Sequence, residues 1–288
     1  MSKSEIKTPA DVPASTQKIY QENYKKITKN TGKLFLFAGD QKIEHLNKDF
    51  YGDNIPKEVN NPEHLFAIAS KGEVGAFATQ MGLIAQYGKK HPDINYIIKL
   101  NSKTDIIPKH ELDPISTQLW DISKVVEFKK NSGLSICGIG YTVYLGSEFE
   151  SEMLSQASQL VYEAHQEGLV AILWMYPRGH HVKDEKNPDL LAGAAGVAVS
   201  LGADFAKINA PQNPKDLQQA VTAAGKTKLI CSGGPKVDDT TFLQNLYNQI
   251  HIGGTFGAAI GRNIYQRKLE DAIQFTKKVS DIIYGLES

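Results

Sequence analysis

The sequence predicts an α/β fold in which residues 1–288 form a single (β/α)8 TIM barrel with an extra N-terminal helix. Three observations predict it: eight short apolar runs, longer amphipathic stretches between most of them, and no linker rich in Pro, Gly or Ser. This alternation indicates repeated strand–helix units, and about 250 residues is the usual size of such a barrel. A doubly wound open sheet is the alternative, because alternation alone does not show that the sheet closes.

The apolar runs set the expected strands. They lie near residues 34–38, 75–80, 96–100, 134–144, 169–176, 205–209, 228–232 and 255–261. The clearest helices between them are expected at 148–167, 188–201, 214–224 and 239–250. Several of these helices open at Pro, Asp or Glu and end near Gly, which are ordinary start and stop signals. The extra helix is expected at about 15–28, and a last helix at 264–284.

The composition is that of an ordinary globular protein. The 32 basic and 32 acidic residues balance, so no basic face for nucleic acid is expected. Cys137 and Cys231 lie inside apolar runs, which favours reduced core residues over a disulfide. The N-terminus carries no apolar segment, and no run approaches the roughly 18 apolar residues that a membrane span needs. We therefore expect a cytoplasmic protein with no membrane partner.

Lys207 points most directly to chemistry. It interrupts the apolar run 205–209, and strands of a parallel sheet are covered on both faces. Burial disfavours the ammonium form and lowers the pKa of a lysine. A partly neutral amine is a nucleophile that can attack a ketone and form a Schiff base. The plain alternative is a strand-end lysine whose ammonium group reaches solvent.

Other polar residues fall at the C-terminal ends of strands, where barrel enzymes place their chemistry. Asp40 follows the first expected strand, Trp174 and Tyr176 end the fifth, and Lys207 lies in the sixth. Side chains alternate along a strand, so Trp174 and Tyr176 share one face. If that face points inward, these side chains meet Lys207. Singly, each also has a structural interpretation, as a turn aspartate or as core aromatics.

Two glycine turns predict a site for a phosphate group. Ser232, Gly233 and Gly234 follow the seventh expected strand, and Gly261 and Arg262 follow the eighth. Glycine lets backbone N–H groups approach an anion, and the loops after strands seven and eight hold phosphate in many barrels. A Gly-Gly-Pro turn is common by itself, so the prediction depends on its place in the strand count.

The histidines do not predict a metal centre. A zinc site in a barrel needs several side chains that converge from strand ends. His180 and His181 are adjacent, and the other histidines are scattered over expected loops and helices. We therefore expect no metal and no cofactor.

Four segments together resemble the archaeal-type class I fructose-bisphosphate aldolases, (β/α)8 enzymes that work through a lysine Schiff base. The segments are Leu173–Gly179, Gly202–Lys207, Ser232–Lys236 and Ile260–Arg267. The resemblance covers most of the chain. It implies Lys207 as the Schiff-base nucleophile, Tyr176 as proton donor and acceptor, and Asp40 and Trp174 as positioning residues, with the substrate phosphate on the glycine turns.

The activity that this resemblance implies is that of a lyase. An enzyme of this family reversibly cleaves fructose 1,6-bisphosphate to dihydroxyacetone phosphate and glyceraldehyde 3-phosphate, a reaction of glycolysis and gluconeogenesis. The partner is then a small sugar phosphate. The family also implies a homo-oligomer, commonly built from pentamers.

The sequence departs from the family at the substrate end. Gln41 and Lys42 follow Asp40 where the family often has His-Gly, and Ile208 follows Lys207 where the family often has Tyr. These differences concern the substrate more than the mechanism. The alternatives are therefore a Schiff-base enzyme for another sugar phosphate, of the heptulosonate synthase or autoinducer thiolase type, and a non-catalytic phosphate-binding barrel.

Lys99 gives a further hypothesis. A second cation lowers the pKa of a catalytic lysine, and Lys99, on the third expected strand, is the candidate. Its plainer interpretation is a surface lysine at a strand end.

Overall fold

The computed structural model describes residues 6–108 and 110–285 and contains a closed barrel of parallel strands. The barrel strands and one separate antiparallel pair, β4 with β5, are β1 (Leu34–Ala38), β2 (Ala76–Thr79), β3 (Tyr96–Lys99), β4 (Asn101–Ser102), β5 (Thr117–Gln118), β6 (Ile136–Leu145), β7 (Val170–Pro177), β8 (Phe205–Ile208), β9 (Lys228–Ser232) and β10 (Gly257–Ile260). Around the barrel the order is β1, β2, β3, β6, β7, β8, β9, β10. Leu34 of β1 pairs with Gly257 of β10 and closes the ring. The predicted TIM barrel is confirmed, and the open sheet is excluded.

Helices cover the outside of the barrel. Those in the described residues are α1 (Gln17–Ile27), α2 (Gln41–Glu44), α3 (Glu63–Lys71), α4 (Met81–Tyr87), α5 (Ile122–Ser132), α6 (Glu150–Gln166), α7 (Pro188–Ser200), α8 (Leu217–Ala224), α9 (Asp239–His251), α10 (Arg262–Tyr265) and α11 (Leu269–Tyr284). Short 3-10 helices occur at Lys57–Asn60, Gly88–Lys90 and Pro214–Asp216.

Two of the helix predictions need correction. The segment expected as one helix at 214–224 begins with a 3-10 turn, because the Asn213 side chain caps a tighter first turn. The helix expected at 264–284 is broken into α10 and α11, because Lys268 has extended backbone angles, with ψ 151°, that end one helix and start the next. The barrel strands end within two residues of their expected bounds.

Helix α1 closes the N-terminal end of the barrel. The inward side chains of Val170, Ile172 and Phe205 form one apolar cluster with Tyr24 and Ile27 of this helix. The Tyr24 ring stacks on Phe205 with 5.5 Å between centroids. The predicted extra helix is therefore present, and it covers the N-terminal end of the barrel interior.

A buried polar network fastens α1 to the base of the barrel. His165 is fully buried and lies with Nδ1 2.8 Å from Asp11 Oδ2 and Nε2 3.2 Å from Asp204 Oδ2. Asp204 also accepts hydrogen bonds from the Tyr20 hydroxyl and from the Ala171 backbone N–H. Burial by itself lowers the pKa of His165, but the hydrogen bonds and charges of Asp204 and Asp11 outweigh it and raise this pKa to about 9.

The network predicts a loss of stability at alkaline pH. The pKa of His165 in the folded protein, about 9, lies above its ordinary value of 6.5. The protonated ring therefore stabilises the folded protein fully below pH 6.5. This contribution is lost as the pH rises through 9. The expected loss is about 2 to 3 kcal/mol in the free energy of unfolding. Urea denaturation at a series of pH values measures it. A His165→Asn variant serves as control, and an equal pH dependence in variant and wild type would contradict the prediction.

Both cysteines behave as predicted. Cys137 and Cys231 are buried free thiols, and burial raises the pKa of Cys231 to about 12. Of the helices in the described ranges, none is both long and apolar enough to cross a membrane.

Candidate active site

A cavity of about 540 Å³ lies at the C-terminal ends of the barrel strands. Every residue predicted for the site lines it, namely Asp40, Trp174, Tyr176, Lys207, Ser232, Gly233, Gly234, Gly261 and Arg262. The residues that the strand count placed at one end of the barrel therefore line one cavity. The role of each residue stays a prediction.

Lys207 points into the barrel from β8. It pairs with Trp174 of β7 and is only 4% exposed. Phe205, two residues earlier, belongs to the interior cluster, so alternation places Lys207 on the same inner face. Burial lowers the pKa of its ammonium group, against the opposing charge of Asp40, and Arg262 lowers it further. The alternative of a solvent-exposed strand-end lysine is wrong.

Trp174 lies between the barrel interior and the cavity. The Nζ atoms of Lys207 and Lys99 are 5.2 Å and 5.4 Å from its ring centroid, which is within cation–π range. The ring passes so close to Gly140 that a Cβ there would lie 2.3 Å from it. Only glycine at this position leaves room for the indole. Its Nε1 is buried and has no hydrogen-bond partner among the described residues.

Lys99 is buried, which corrects its plainer interpretation as a surface residue. It is 3% exposed, and its Nζ donates to Asn101 O at 2.9 Å and to Asn101 Oδ1 at 2.7 Å. Burial lowers its pKa to about 8, with Asp40 opposing and Lys207 adding to the decrease. Lys99 is therefore a buried cation close to Trp174 and Lys207, and its effect on the pKa of Lys207 stays a hypothesis.

Replacing Lys99 by methionine is expected to raise the pKa of Lys207, because it removes a nearby positive charge that disfavours the ammonium form. The acidic limb of kcat/KM against pH should move to higher pH by roughly one unit. Lys90→Met, at an exposed position, is the control. A profile that does not move would rule out this role for Lys99.

Tyr176 lies at the end of β7 beside Lys207. Its ring centroid is 5.9 Å from Lys207 Nζ and 5.4 Å from Arg178 Cζ. Burial, with the charge of Asp40, raises the pKa of its hydroxyl well above the ordinary value. The hydroxyl is therefore protonated at neutral pH and can donate a proton in the resting site.

Asp40 follows β1 in a turn that β2 fixes. Thr79 Oγ1 donates to Gly39 O at 3.2 Å, and Gln80 Nε2 donates to Asp40 O at 3.0 Å. Within the described residues, Asp40 Oδ1 and Gln41 Oε1 are buried without a partner. Buried acceptors without partners are costly, so these two suit a ligand that brings hydroxyl groups.

Asn263 holds the first glycine turn in one conformation. Its Nδ2 donates to Gly233 O and Pro235 O, both at 2.9 Å, and its Oδ1 accepts from Val237 N at 3.0 Å. Gly234 has φ +64°, a left-handed conformation that favours glycine. Both turns are thereby joined into one rigid cradle.

Polar side chains surround this cradle. Ser232 Oγ donates to Asn209 Oδ1 at 3.1 Å, and Arg262 Nε lies 3.7 Å from Asp49 Oδ2. Lys236 follows the first turn, but its Nζ donates to a backbone carbonyl between α10 and α11. Arg262 is therefore the cation that this part of the cavity presents.

Sequence reasoning assigned no role to several lining residues. Gln41, Glu44, Asn209 and Glu185 also face the cavity. Asn209 has the same parity as Lys207, so strand alternation was a usable signal. The other three follow strands in loops or in a short helix, and nothing local in the sequence fixes where such side chains point.

One group in the described chain has the spacing of a metal site. Ligand atoms of Glu44, His45 and Asp105 lie within 4.8 Å of one another. Glu44 accepts a hydrogen bond from the Tyr144 hydroxyl at 2.8 Å, and His45 Nδ1 contacts Asp49. These protein contacts account for the group, and the expectation of a metal-free site stays a prediction.

The sequence is similar to known aldolases over most of its length. The family profile of the DeoC/LacD family aldolases matches residues 34–267. The fructose-bisphosphate aldolase/6-deoxy-5-ketofructose 1-phosphate synthase of Methanocaldococcus jannaschii is 51% identical over 282 residues, which cover 97% of this chain and 90% of that protein. The class 1 fructose-bisphosphate aldolase of Thermoproteus tenax is 32% identical, covering 92% of this chain and 94% of that protein.

Solved structures of aldolases are also similar to this chain. A fructose-bisphosphate aldolase from Slackia heliotrinireducens is 49% identical, covers 100% of this chain and 92% of that chain, and has a TM-score of 0.97. An archaeal fructose-1,6-bisphosphate aldolase whose catalytic lysine is covalently bound to a carbinolamine intermediate is 30% identical, covers 92% of this chain and 100% of that chain, and has a TM-score of 0.81. The chain therefore belongs to the DeoC/LacD aldolase family, is a lyase, and groups with the archaeal class I fructose-bisphosphate aldolases.

Proposed function

We propose that this protein is a class I fructose-bisphosphate aldolase that cleaves fructose 1,6-bisphosphate reversibly through a Schiff base on Lys207. One observation carries the proposal. A buried lysine with a lowered pKa lies beside a protonated tyrosine, in a cavity whose neighbouring wall is a glycine cradle with an arginine. Nucleophile, proton donor and anion site are the three elements that Schiff-base cleavage of a ketose phosphate requires.

Covalent bonding begins at the substrate ketone. Neutral Lys207 attacks C2 and forms a carbinolamine, and a proton from Tyr176 lets its hydroxyl leave as water. The resulting iminium withdraws electrons from the C3–C4 bond. Asp40, whose Oδ1 is unpartnered within the described residues, would accept a hydrogen bond from a substrate hydroxyl, and Trp174 would hold the amine in place through its ring.

Cleavage then needs a base for the C4 hydroxyl. The iminium puts a positive charge close to Tyr176, where Lys207 Nζ is 5.9 Å from the ring centroid, and a nearby cation lowers the pKa of a tyrosine. The tyrosine that gave its proton to water can therefore take the C4 proton as the C3–C4 electrons move into the enamine. Glyceraldehyde 3-phosphate leaves, Tyr176 gives the proton to C3 of the enamine, and water hydrolyses the iminium so formed, which releases dihydroxyacetone phosphate and the Lys207 amine.

The C1 phosphate belongs on the cradle formed by Ser232, Gly233, Gly234, Gly261 and Arg262. This cradle follows β9 and β10, and β9 is the direct neighbour of β8, which carries Lys207. A phosphate on the cradle would place C2, two bonds from the phosphate oxygen, toward Lys207. Backbone N–H groups and an arginine are the usual ligands of a phosphate.

Borohydride trapping tests the proposal. The protein is incubated with dihydroxyacetone phosphate, reduced with borohydride, digested and mapped by mass spectrometry, and the reduced adduct is expected on Lys207. The cleavage of fructose 1,6-bisphosphate is then followed by a coupled assay. No adduct, or an adduct on another lysine, would overturn the mechanism.

A second candidate activity comes from the relative in Methanocaldococcus jannaschii, whose name also includes 6-deoxy-5-ketofructose 1-phosphate synthase. That ketose has the same C1 phosphate and C2 ketone. Cleavage of its C3–C4 bond gives dihydroxyacetone phosphate and 2-oxopropanal, an aldehyde without phosphate. The same Lys207 chemistry would therefore serve, and only the aldehyde end of the site would differ.

Condensation assays separate the two activities. The enzyme is given dihydroxyacetone phosphate with either glyceraldehyde 3-phosphate or 2-oxopropanal, and the products are identified by mass spectrometry. A bisphosphate product alone supports the aldolase, and a 6-deoxy product alone supports the synthase. The homo-oligomer and the cytoplasmic location stay predictions from the family resemblance.

A further inference from the structure

An ion pair lies at the end of the cavity opposite the glycine cradle. Arg178 follows β7, on the other side of Lys207 from β9. Its Nε lies 3.1 Å from both carboxylate oxygens of Glu185, and its Nη2 lies 2.9 Å from Glu185 Oε2. Both residues line the cavity. The guanidinium group thus makes a bidentate contact with a carboxylate. It does so at the end of the cavity that the C6 end of a substrate would occupy.

Packing fixes the arginine in this position. Its Cζ is 5.4 Å from the ring centroids of Tyr144 and Tyr176, and its side chain is 22% exposed. Burial by itself lowers the pKa of Arg178, but Tyr144 and Glu185 raise it more, so the guanidinium stays charged. The side chain that can exchange partners is therefore the carboxylate, which reaches the arginine from the loop between β7 and α7.

Charges of both signs line this side of the cavity. Among the described residues they include Arg178 and Lys186, which are positive, and Glu44 and Glu185, which are negative. A phosphate on C6 would gain from Arg178 the same two-pronged hydrogen bonding that Glu185 now has. It gains this only by displacing a carboxylate that also repels it. A substrate whose far end is uncharged leaves the ion pair intact.

We propose that Glu185 determines specificity at the aldehyde end by competing with a C6 phosphate for Arg178. The inference rests on the proposed function, in which the C1 phosphate occupies the glycine cradle. Glu185 lowers the kcat/KM of a ketose 1,6-bisphosphate relative to that of a ketose 1-phosphate. The same site then accepts substrates with and without the second phosphate, and Glu185 sets the ratio of their kcat/KM values.

The test is the ratio of kcat/KM for fructose 1,6-bisphosphate to that for fructose 1-phosphate. Glu185→Gln keeps the shape of the side chain and removes its charge, so the ratio should rise on the order of tenfold. The rise should come from a lower KM for the bisphosphate. The kcat and KM for fructose 1-phosphate should change less than about twofold, since that substrate has no C6 phosphate to bind Arg178.

Two further variants isolate the cause. Asp184→Asn removes the same charge from the same loop, but Asp184 accepts a hydrogen bond from Lys186 N at 2.9 Å instead of contacting Arg178, so the ratio should stay near that of the wild type. In a Glu185→Gln, Arg178→Met double variant the rise in the kcat/KM ratio should disappear, because no arginine remains there to bind the C6 phosphate.

Each contrary result identifies what has failed. An unchanged ratio in Glu185→Gln, an equal rise in Asp184→Asn, or a gain that survives in the double variant would overturn the specificity role. If the wild type cleaves neither ketose phosphate, the proposed function itself fails and the specificity role falls with it. Cleavage of both substrates by the wild type separates the two kinds of failure.

Discussion

A Lys207→Arg variant is expected to lose at least about 10⁴-fold in aldol cleavage and to form no borohydride-trapped adduct. Arginine keeps the positive charge, but it does not lose its proton in a protein and so offers no nucleophilic amine. The burial that lowers the pKa of Lys207 has no such effect on a guanidinium group. A coupled assay measures the loss of turnover, and mass mapping after borohydride reduction shows whether the Schiff base forms.

A matched control exists on the neighbouring strand. Lys228 lies at the N-terminal end of β9, and its Nζ donates to Gly32 O at 2.9 Å, away from the cavity. Lys228→Arg repeats the same substitution on a barrel strand without touching the site. It should retain activity within about threefold. If Lys207→Arg also retained activity, Lys207 would not be the nucleophile.

Replacing Tyr176 by phenylalanine should give the second largest effect, with turnover reduced about 10² to 10⁴-fold. Phenylalanine keeps the ring that contacts Lys207 and Arg178 but removes the hydroxyl that moves the protons. The amine is untouched, so long incubation with dihydroxyacetone phosphate and borohydride should still label Lys207, although more slowly, because the Tyr176 proton also helps water leave the carbinolamine. Slow turnover with retained labelling is the combined result that identifies a proton-transfer residue.

Tyr144→Phe is the appropriate control for that experiment. Tyr144 also lies beside Arg178, but its hydroxyl donates to Glu44 at 2.8 Å. Its loss should lower turnover much less than the loss of the Tyr176 hydroxyl. Wild-type turnover in Tyr176→Phe would remove this residue from the mechanism.

Strand parity explains why the sequence predicted so much of the site. Trp174, Tyr176 and Lys207 lie on two neighbouring strands, and side-chain alternation decides which face each occupies. Once the barrel is recognised, position in the strand count places them at one end of the fold. Lys99 carried the same signal, because Ile97, two residues before it, belongs to the interior cluster. Its plainer interpretation as a surface residue rests on how seldom lysine is buried, whereas strand alternation favours the hypothesis of a cation inside the barrel.

Residues outside the strands were beyond this kind of reasoning. Glu185 reaches the cavity from a loop and contacts Arg178, seven residues before it. Glu44 lies in a four-residue helix and contacts Tyr144, 100 residues away in sequence. The spacing of apolar residues along the sequence gives no information about such contacts. The break between α10 and α11 was missed for a related reason, since it depends on the backbone angles of Lys268 and not on the apolar pattern.

The helix that closes the base of the barrel also bears on the proposed reaction. With α1 packed on Phe205 and the inward core, substrate and both products of the proposed reaction would use the cavity at the other end of the barrel. In the proposed mechanism the ketose half is tethered to Lys207 after cleavage, so the aldehyde must depart first. Hydrolysis of the iminium then frees the ketose half. In the proposed mechanism product release is therefore ordered, with the aldehyde before dihydroxyacetone phosphate, because the ketose half is covalently held on a lysine inside the barrel.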